Sequence, residues 1–313
     1  MTLKAINEFI LTVAPDKATV ISFPEFIAIF GSSISLKRRC AKPKSKRDAF
    51  YWWLLDKRPD LKELLLVPES YNDWNDSSVY SDLLLFEKDL GFLTSAVLIF
   101  LESPGSIAEL GAFSQITSLS ERLLVVVTEN YHPTKSFISF GPLRSIQETQ
   151  NHSNCICVIP ELRPERLVDH VHVIIEMLDK KILSIKSKKE RFDVSNLQHQ
   201  IILILDFINL FSVLNKSELQ LLASHFLVDM KYPRLNQLLF LLEKIRLISR
   251  KHYGGIEYYQ PLNFKDEYVD YTSCVAASPY NRATTIARAW DEIKNDPYRK
   301  SLLNSSRKAG AKK

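Results

Sequence analysis

The residues AVLIFLESPGSIAELGAF, 96–113, run from a buried strand into a helix. Ala96 to Leu101 is a short, unbroken apolar run, the pattern of a strand covered on both faces of a sheet. Pro104 and Gly105 then shape a tight loop, and a helical pattern follows. Comparable runs stand on either side, at Phe26–Phe30, Leu61–Val67, Arg122–Thr128 and Asn154–Ile159. Amphipathic stretches lie around 45–57, 79–92, 106–120, 137–148 and 161–180. This alternation predicts an α/β fold, a mostly parallel five-stranded sheet with helices on both faces. Ligands of such sheets bind beyond the carboxyl ends of the strands, where the strand order reverses. The loops to inspect therefore begin near Gly31, Val67, Glu102 and Thr128.

The pattern changes past residue 180. Lys180 to Arg191 is rich in lysine and serine, a linker or the exposed end of the preceding helix. Leu197–Phe211 predicts a strongly apolar helix and Lys216–Phe226 a shorter one. Pro233–Ile245 sets Leu235, Leu238, Leu239, Leu242 and Ile245 at helical spacing. Leu247–Lys251 and Ile256–Gln260 flank Gly254-Gly255, a hairpin signal. Three helices and then a glycine-turned hairpin is the order of a small winged-helix domain. From about Tyr280 a last helical pattern dissolves into Arg307, Lys308, Lys312 and Lys313. The chain is thus expected to divide into an α/β domain, 1–190, and a winged-helix domain with a basic tail, 191–313.

A length of 313 residues fits two domains, and 46% hydrophobic with 25% charged residues is globular rather than disordered composition. The best apolar run, Ile201–Leu214, is too short for a bilayer and is broken by Asp206 and Asn209. Pro15, Asp16 and Lys17 interrupt any signal-peptide pattern. Four cysteines without metal-ligand spacing predict free thiols in a reducing compartment, with Cys155 and Cys157 packing on one strand face. The expected location is the cytoplasm, with no membrane partner. Charge is uneven: 22 Lys+Arg against 13 Asp+Glu from residue 181 onward, 19 against 23 before it. The basic excess suits an anionic partner, and equally a solvated surface.

Chemistry concentrates at the strand-to-helix junction. Backbone N–H groups of Ser103, Gly105 and Ser106, at a helix start, can hold a phosphate. Glu109, expected in the first helical turn, would bring its carboxylate beside that loop. Breaking a ribosyl N-glycosidic bond builds positive charge on the sugar, which a neighbouring carboxylate stabilises or attacks. The spacing also fits a capping box in which Ser106 caps the helix and Glu109 bonds back to it. Spacing alone leaves both readings open.

Glu102-Ser-Pro-Gly-Ser-x-x-Glu109-Leu-Gly-Ala-Phe113 resembles the active-site motif of the nucleoside 2-deoxyribosyltransferase-like domains of bacterial retron effectors. Lys135-Ser-Phe-Ile-Ser-Phe-Gly-Pro-Leu-Arg144 resembles a further stretch of those effectors. The resemblance is dense from about 85 to 145 and covers most of the chain more thinly. It implies a catalytic role for Glu109 and hydrolysis of a nucleotide N-glycosidic bond, with NAD or a related nucleotide as substrate and no cofactor. It also implies a toxin-like part in anti-phage defence. The implied partners are a reverse transcriptase and its multicopy single-stranded DNA–RNA hybrid, within a larger assembly.

Other residues carry paired readings. Gly31-Ser32-Ser33 suits phosphate or ribose contact, or is a polar turn. Glu69 would hold ribose hydroxyls, or is a surface acid. Glu87 resembles a retained effector position, and equally an exposed helical acid. Where deoxyribosyltransferases carry an aspartate before the catalytic glutamate, this chain has Glu102 and Ser103, so their base and sugar specificity does not carry over. Arg144 would neutralise a phosphate or tie two elements together. Arg234, Lys244 and Arg246 are thin equipment for base readout by the third helix, whereas Lys251, His252 and Tyr253 suit phosphate or stacking contacts. Shape recognition of nucleic acid, or protein docking, is expected of that domain. Neither G-x-x-x-x-G-K-[ST], G-x-G-x-x-G nor G-x-S-x-G occurs, and His170 and His172 face different directions on a helix. Two other classes stand beside the hydrolase: a non-enzymatic nucleic-acid-binding regulator and a transferase moving deoxyribose between bases.

Overall fold

The computed structural model describes residues 2–37, 39–74, 79–131, 135–151, 155–186, 188–227, 230–262, 267–272, 274 and 279–310. It divides into two units: Phe23–Ser187, and Met1–Ser22 together with Lys188–Lys313. Among the described residues no helix is long and apolar enough to cross a membrane.

The first unit is built on five parallel strands: β1 (Phe26–Phe30), β2 (Leu65–Leu66), β3 (Thr94–Phe100), β4 (Leu123–Thr128) and β5 (Ile156–Ile159). Their order is β2-β1-β3-β4-β5, so the chain leaves β1 in one direction, returns past it, and builds outward from β3. The switch between β1 and β3 places the loops after Phe30 and Phe100 side by side at the carboxyl edge. Helices α1 (Lys46–Lys57) and α6 (Val171–Lys186) cover one face. There Phe50, Leu54, Ile174 and Leu178 pack on Ile27, Ile29, Leu98, Phe100 and Leu124. Helices α2 (Leu83–Phe92), α3 (Pro104–Ser114) and α4 (Thr117–Ser120) bury Phe86, Leu90, Leu110, Phe113 and Leu119. Phe113 meets Phe30 edge-on at 5.2 Å. A short α5 (Arg144–Thr149) follows a π-helical turn over Ser139–Leu143.

Several elements are shorter than the sequence predicts. The second strand is two residues long, because Pro59–Leu64 winds into a 3₁₀ turn before it and Pro68 begins another after it. The helix expected over 106–120 is two helices, α3 and α4, broken at Gln115 and Ile116. Asn154, the expected start of the fifth strand, lies outside the described residues.

The second unit takes the first 22 residues, which the sequence had assigned to the α/β domain. Thr19–Val20 pairs antiparallel with Val269–Asp270 on one side and Glu190–Arg191 on the other. Phe9, on the helix Lys4–Thr12, meets Phe207, Phe211 and Tyr271 edge-on. Partners so distant in the chain leave no local signal. The helix Leu197–Phe211 is buried at every residue from Ile201 onward. Its carboxylate at Asp206 is satisfied by the Tyr268 N–H, the Tyr271 hydroxyl and Arg282, as a buried charge must be. Helices Lys216–Phe226 and Tyr232–Lys244 come next, then a hairpin of Ile248–Tyr253 and Ile256–Pro261. Gly254 and Gly255 both take positive φ, +57° and +74°, as its two-residue turn requires. Leu214–Asn215 pairs with the second hairpin strand. Helices Arg282–Asn295 and Pro297–Gly310 complete the unit, and Lys312 and Lys313 of the basic tail lie outside the described residues.

Candidate active site

Pro104 fixes how α3 begins. It occupies the first helical position, where a missing N–H costs nothing, so Ser103 becomes the N-cap. The Ser103 hydroxyl accepts from the Ser106 N–H at 3.2 Å, and the Ser106 hydroxyl accepts from the Ser103 N–H at 3.0 Å. The capping box is therefore Ser103 with Ser106, not Ser106 with Glu109. Ser106 is buried, and its hydroxyl is engaged in this ring. Gly105 stays exposed with room for a Cβ.

Glu109 lies past the first turn and is free of the cap. Its Oε2 is buried and has no hydrogen-bond partner. Burial raises its carboxyl to about 7; the Glu69 charge adds to the rise, while the Arg47 charge opposes it. Glu87, on α2, is buried and pushed up to about 8 by burial first, then by Glu109 and Glu69, again against Arg47. Glu87 is thus a buried acid with a raised pKa rather than an exposed helical one. Linkage gives a test. Because folding raises this pKa, the folded state loses stability as pH climbs from the unfolded carboxyl range toward 8. Glu87→Gln is expected to leave thermal stability unchanged near pH 4 and to raise it at pH 8 by a few degrees, roughly 1–2 kcal/mol. Equal unfolding curves at both pH values would count against a buried neutral acid.

Arg47 organises the cluster, and the sequence reading missed it. It is 1% exposed, on the first turn of α1. Its guanidinium makes a fork on Glu69 at 2.5 and 2.8 Å and donates to the carbonyls of Ile29 and Ser32. Glu69 is therefore paired with Arg47 rather than open on both oxygens to a ribose. A cation in a helix's first turn opposes the helix dipole, a visible sign that it serves something other than the helix. Glu102 adds its negative charge from outside to that of Asp48 in the first turn: it accepts from the N–H groups of Lys46 at 2.8 Å and Arg47 at 3.0 Å, and from Ser32 at 3.4 Å. That carboxylate is spent on backbone and ties the β1 and β3 loops together.

The Gly31–Ser33 loop is built around Arg47 too. Gly31 has φ +150°, and a Cβ there would meet Phe100 Cβ at 3.0 Å and Arg47 Cδ at 3.1 Å. Gly31→Ala is expected to destabilise by about 2 kcal/mol, a fall of roughly 4–8 °C in melting temperature by calorimetry. Ser32 and Ser33 use their carbonyls to hold Arg47 and the Ser45 hydroxyl, and the Ser33 side chain is exposed.

Other candidates fall outside this cluster. Arg144 pairs with Glu148 at 3.0 Å on the surface. A cavity of about 80 Å³ lined by Pro43, Trp52, Trp53, Pro164 and Val168 includes none of the candidate residues. Among the described residues no group of three His, Cys, Asp or Glu is placed to hold a metal, and the Cys157 thiol is pushed up to about 11 by burial. In the second unit, Arg234 bonds Gln237, Lys244 lies over the Phe240 ring and Arg246 has φ +61°. His252 pairs with Glu257 at 3.0 Å, whereas Lys251 and Tyr253 are exposed.

Two Escherichia coli proteins are similar to part of this chain. A candidate ribosyltransferase/DNA-binding protein of retron Ec86 is 35% identical over 81 residues, 26% of each chain. Its counterpart from retron Ec73 is 35% identical over 79 residues, 25% of each chain. The matched region thus spans about a quarter of these curated relatives' length. A family model described as STM3845 retron effector protein matches residues 43–250, about two thirds of the sequence. The chain belongs to the STM3845 retron effector family.

Proposed function

We propose that this retron effector is a nucleotide N-glycosidase, a toxin-like hydrolase of anti-phage defence whose first candidate substrate is NAD. The observation that carries this is Glu109: a carboxylate in the family-like motif, at the carboxyl edge of the sheet, with a buried oxygen that no hydrogen bond or cap uses. Cleavage breaks the bond between the anomeric carbon and the base nitrogen, whose electron pair leaves with the base. Glu109 meets the positive charge left on the sugar, or bonds to the anomeric carbon, and water completes hydrolysis. Nicotinamide leaves a cationic ribosyl pyridinium as a neutral base and needs no proton. A neutral purine or pyrimidine needs one, and Glu87 holds a proton in the same cluster. Gly31, Ser32, Ser33, Ser103 and Gly105 would line the phosphate and ribose side, with Glu69 able to accept a ribose hydroxyl if it leaves Arg47. The expected result with purified protein is release of free base from NAD or a nucleotide, read by chromatography. Base exchange without hydrolysis would favour a deoxyribosyltransferase, and neither reaction would favour a non-enzymatic regulator.

For the second unit we infer a winged-helix module that binds nucleic acid. The helix, strand, helix, helix, hairpin order supports it, with Arg234, Lys244, Arg246, Lys251, His252 and Tyr253 as candidate contacts. In this reading the reverse transcriptase and its RNA–DNA hybrid bind the effector and restrain its activity until infection.

A further inference from the structure

The hairpin Ile248–Tyr253/Ile256–Pro261 has two electrostatically different faces. Residues opposite each other across a ladder share a face, and successive residues alternate. Tyr253 stands opposite Ile256 and Lys251 opposite Tyr258, while His252 stands opposite Glu257 and Arg250 opposite Tyr259. On the second of these faces Glu257 pairs with His252 at 3.0 Å, Arg250 at 3.3 Å and Lys216 at 3.4 Å. Glu243 takes Arg250 again at 3.2 Å, so that face is neutralised.

The other face is not. Among the described residues Lys251 has no acid partner, and neither has the exposed Lys300 of the helix Pro297–Gly310. Tyr253, two residues on from Lys251 and on the same hairpin face, meets Tyr298 with ring centroids 4.7 Å apart at 51°. The two tyrosines remain 45% and 50% exposed. The helix that carries Tyr298 is anchored from below: Arg299 is buried, pairs with Glu218 and Asp296, and lies over the Tyr258 ring. Two open aromatic rings held by an anchored helix, with Lys251 on the same hairpin face, have the chemistry that single strands need. Every unpaired base offers a π-face to stack, and the phosphates require nearby cations. A duplex hides its base faces. The overall charge agrees, with 20 Lys+Arg against 13 Asp+Glu over residues 188–313.

We propose that Tyr253 and Tyr298, with Lys251, form a stacking platform for single-stranded nucleic acid. It rests on the nucleic-acid reading of this unit and is independent of the glycosidase.

Fluorescence anisotropy of labelled oligonucleotides with the full-length protein tests it. Oligothymidylate is expected to bind more tightly than a duplex of equal length, and an abasic strand of the same charge roughly ten-fold more weakly. Tyr253→Ala and Tyr298→Ala should each weaken the single strand about ten-fold, with the phenylalanine variants spared. Lys251→Gln should lower the salt slope by about 0.7, which the tyrosine variants leave unchanged. Folded alanine variants that bind as wild type overturn the platform, as does equal affinity for the abasic strand. Duplex binding alone overturns it while leaving the nucleic-acid reading standing. No binding to any oligonucleotide, as for a module that docks only protein, overturns both.

Discussion

Glu109→Gln is expected to lower base release by on the order of 10³-fold or more, while the protein folds as before. The catalytic loss follows from charge. The amide keeps the size of the side chain but cannot stabilise or attack a cationic anomeric carbon. The retained fold follows from geometry: the helix is capped by Ser103 and Ser106, and Glu109 Oε2 makes no hydrogen bond that the amide would break. Folding raises the Glu109 carboxyl to about 7, so the wild-type fold loses stability as pH climbs from the unfolded carboxyl range toward 7, a loss that glutamine avoids. The variant should therefore melt at the wild-type temperature near pH 4 and no lower than wild type at pH 8. Near-full turnover in a folded Glu109→Gln protein would remove Glu109 from the chemistry.

Arg47→Met is expected to injure both stability and the pH profile. The substitution removes a fully buried guanidinium that binds Glu69 through two hydrogen bonds and also holds the Ile29 and Ser32 carbonyls. Those carbonyls lose their charged donor, and Glu69, whose side chain is 46% exposed, turns to water. A loss of about 2–4 kcal/mol is expected, below the cost of a wholly buried pair because Glu69 is half solvated. The positive charge of Arg47 opposes the rise of both the Glu109 and Glu87 carboxyls. Without it the pH at which Glu109 ionises moves upward, and the acid limb of the activity profile moves with it by about one unit. Arg47→Lys separates the two effects, since it keeps the charge but not the fork. Its profile should stay near wild type while its melting temperature falls. Identical pH profiles for wild type and Arg47→Met would rule out electrostatic coupling between Arg47 and the catalytic acid.

The alternation of apolar runs with amphipathic stretches was enough to read the parallel sheet, because strands covered on both faces carry unbroken apolar sequence. Which of the four candidate loops meet at the switch was not legible, because strand order, here β2-β1-β3-β4-β5, is set by pairing across the fold rather than by local pattern. Leu61–Val67 was misread because its apolar residues are shared between a 3₁₀ turn and a two-residue strand, which periodicity does not distinguish. The true cap was legible in principle: proline prefers the first helical position, so Ser103-Pro104 should have placed the N-cap at Ser103. Arg47 was not legible from spacing, since its partners Glu69 and Ile29 come from other elements brought together only by the fold. The N-terminal 22 residues failed for the same reason, their strand partners lying near residues 190 and 270.

Mass-spectrometric profiling of nucleotides in cells expressing the wild-type chain or Glu109→Gln tests the enzyme most directly. Loss of NAD or of one nucleotide pool, with the matching free base accumulating only in the wild-type cells, is the predicted outcome. Identical profiles at equal protein levels, in cells where the effector is released from its restraint, would contradict an N-glycosidase.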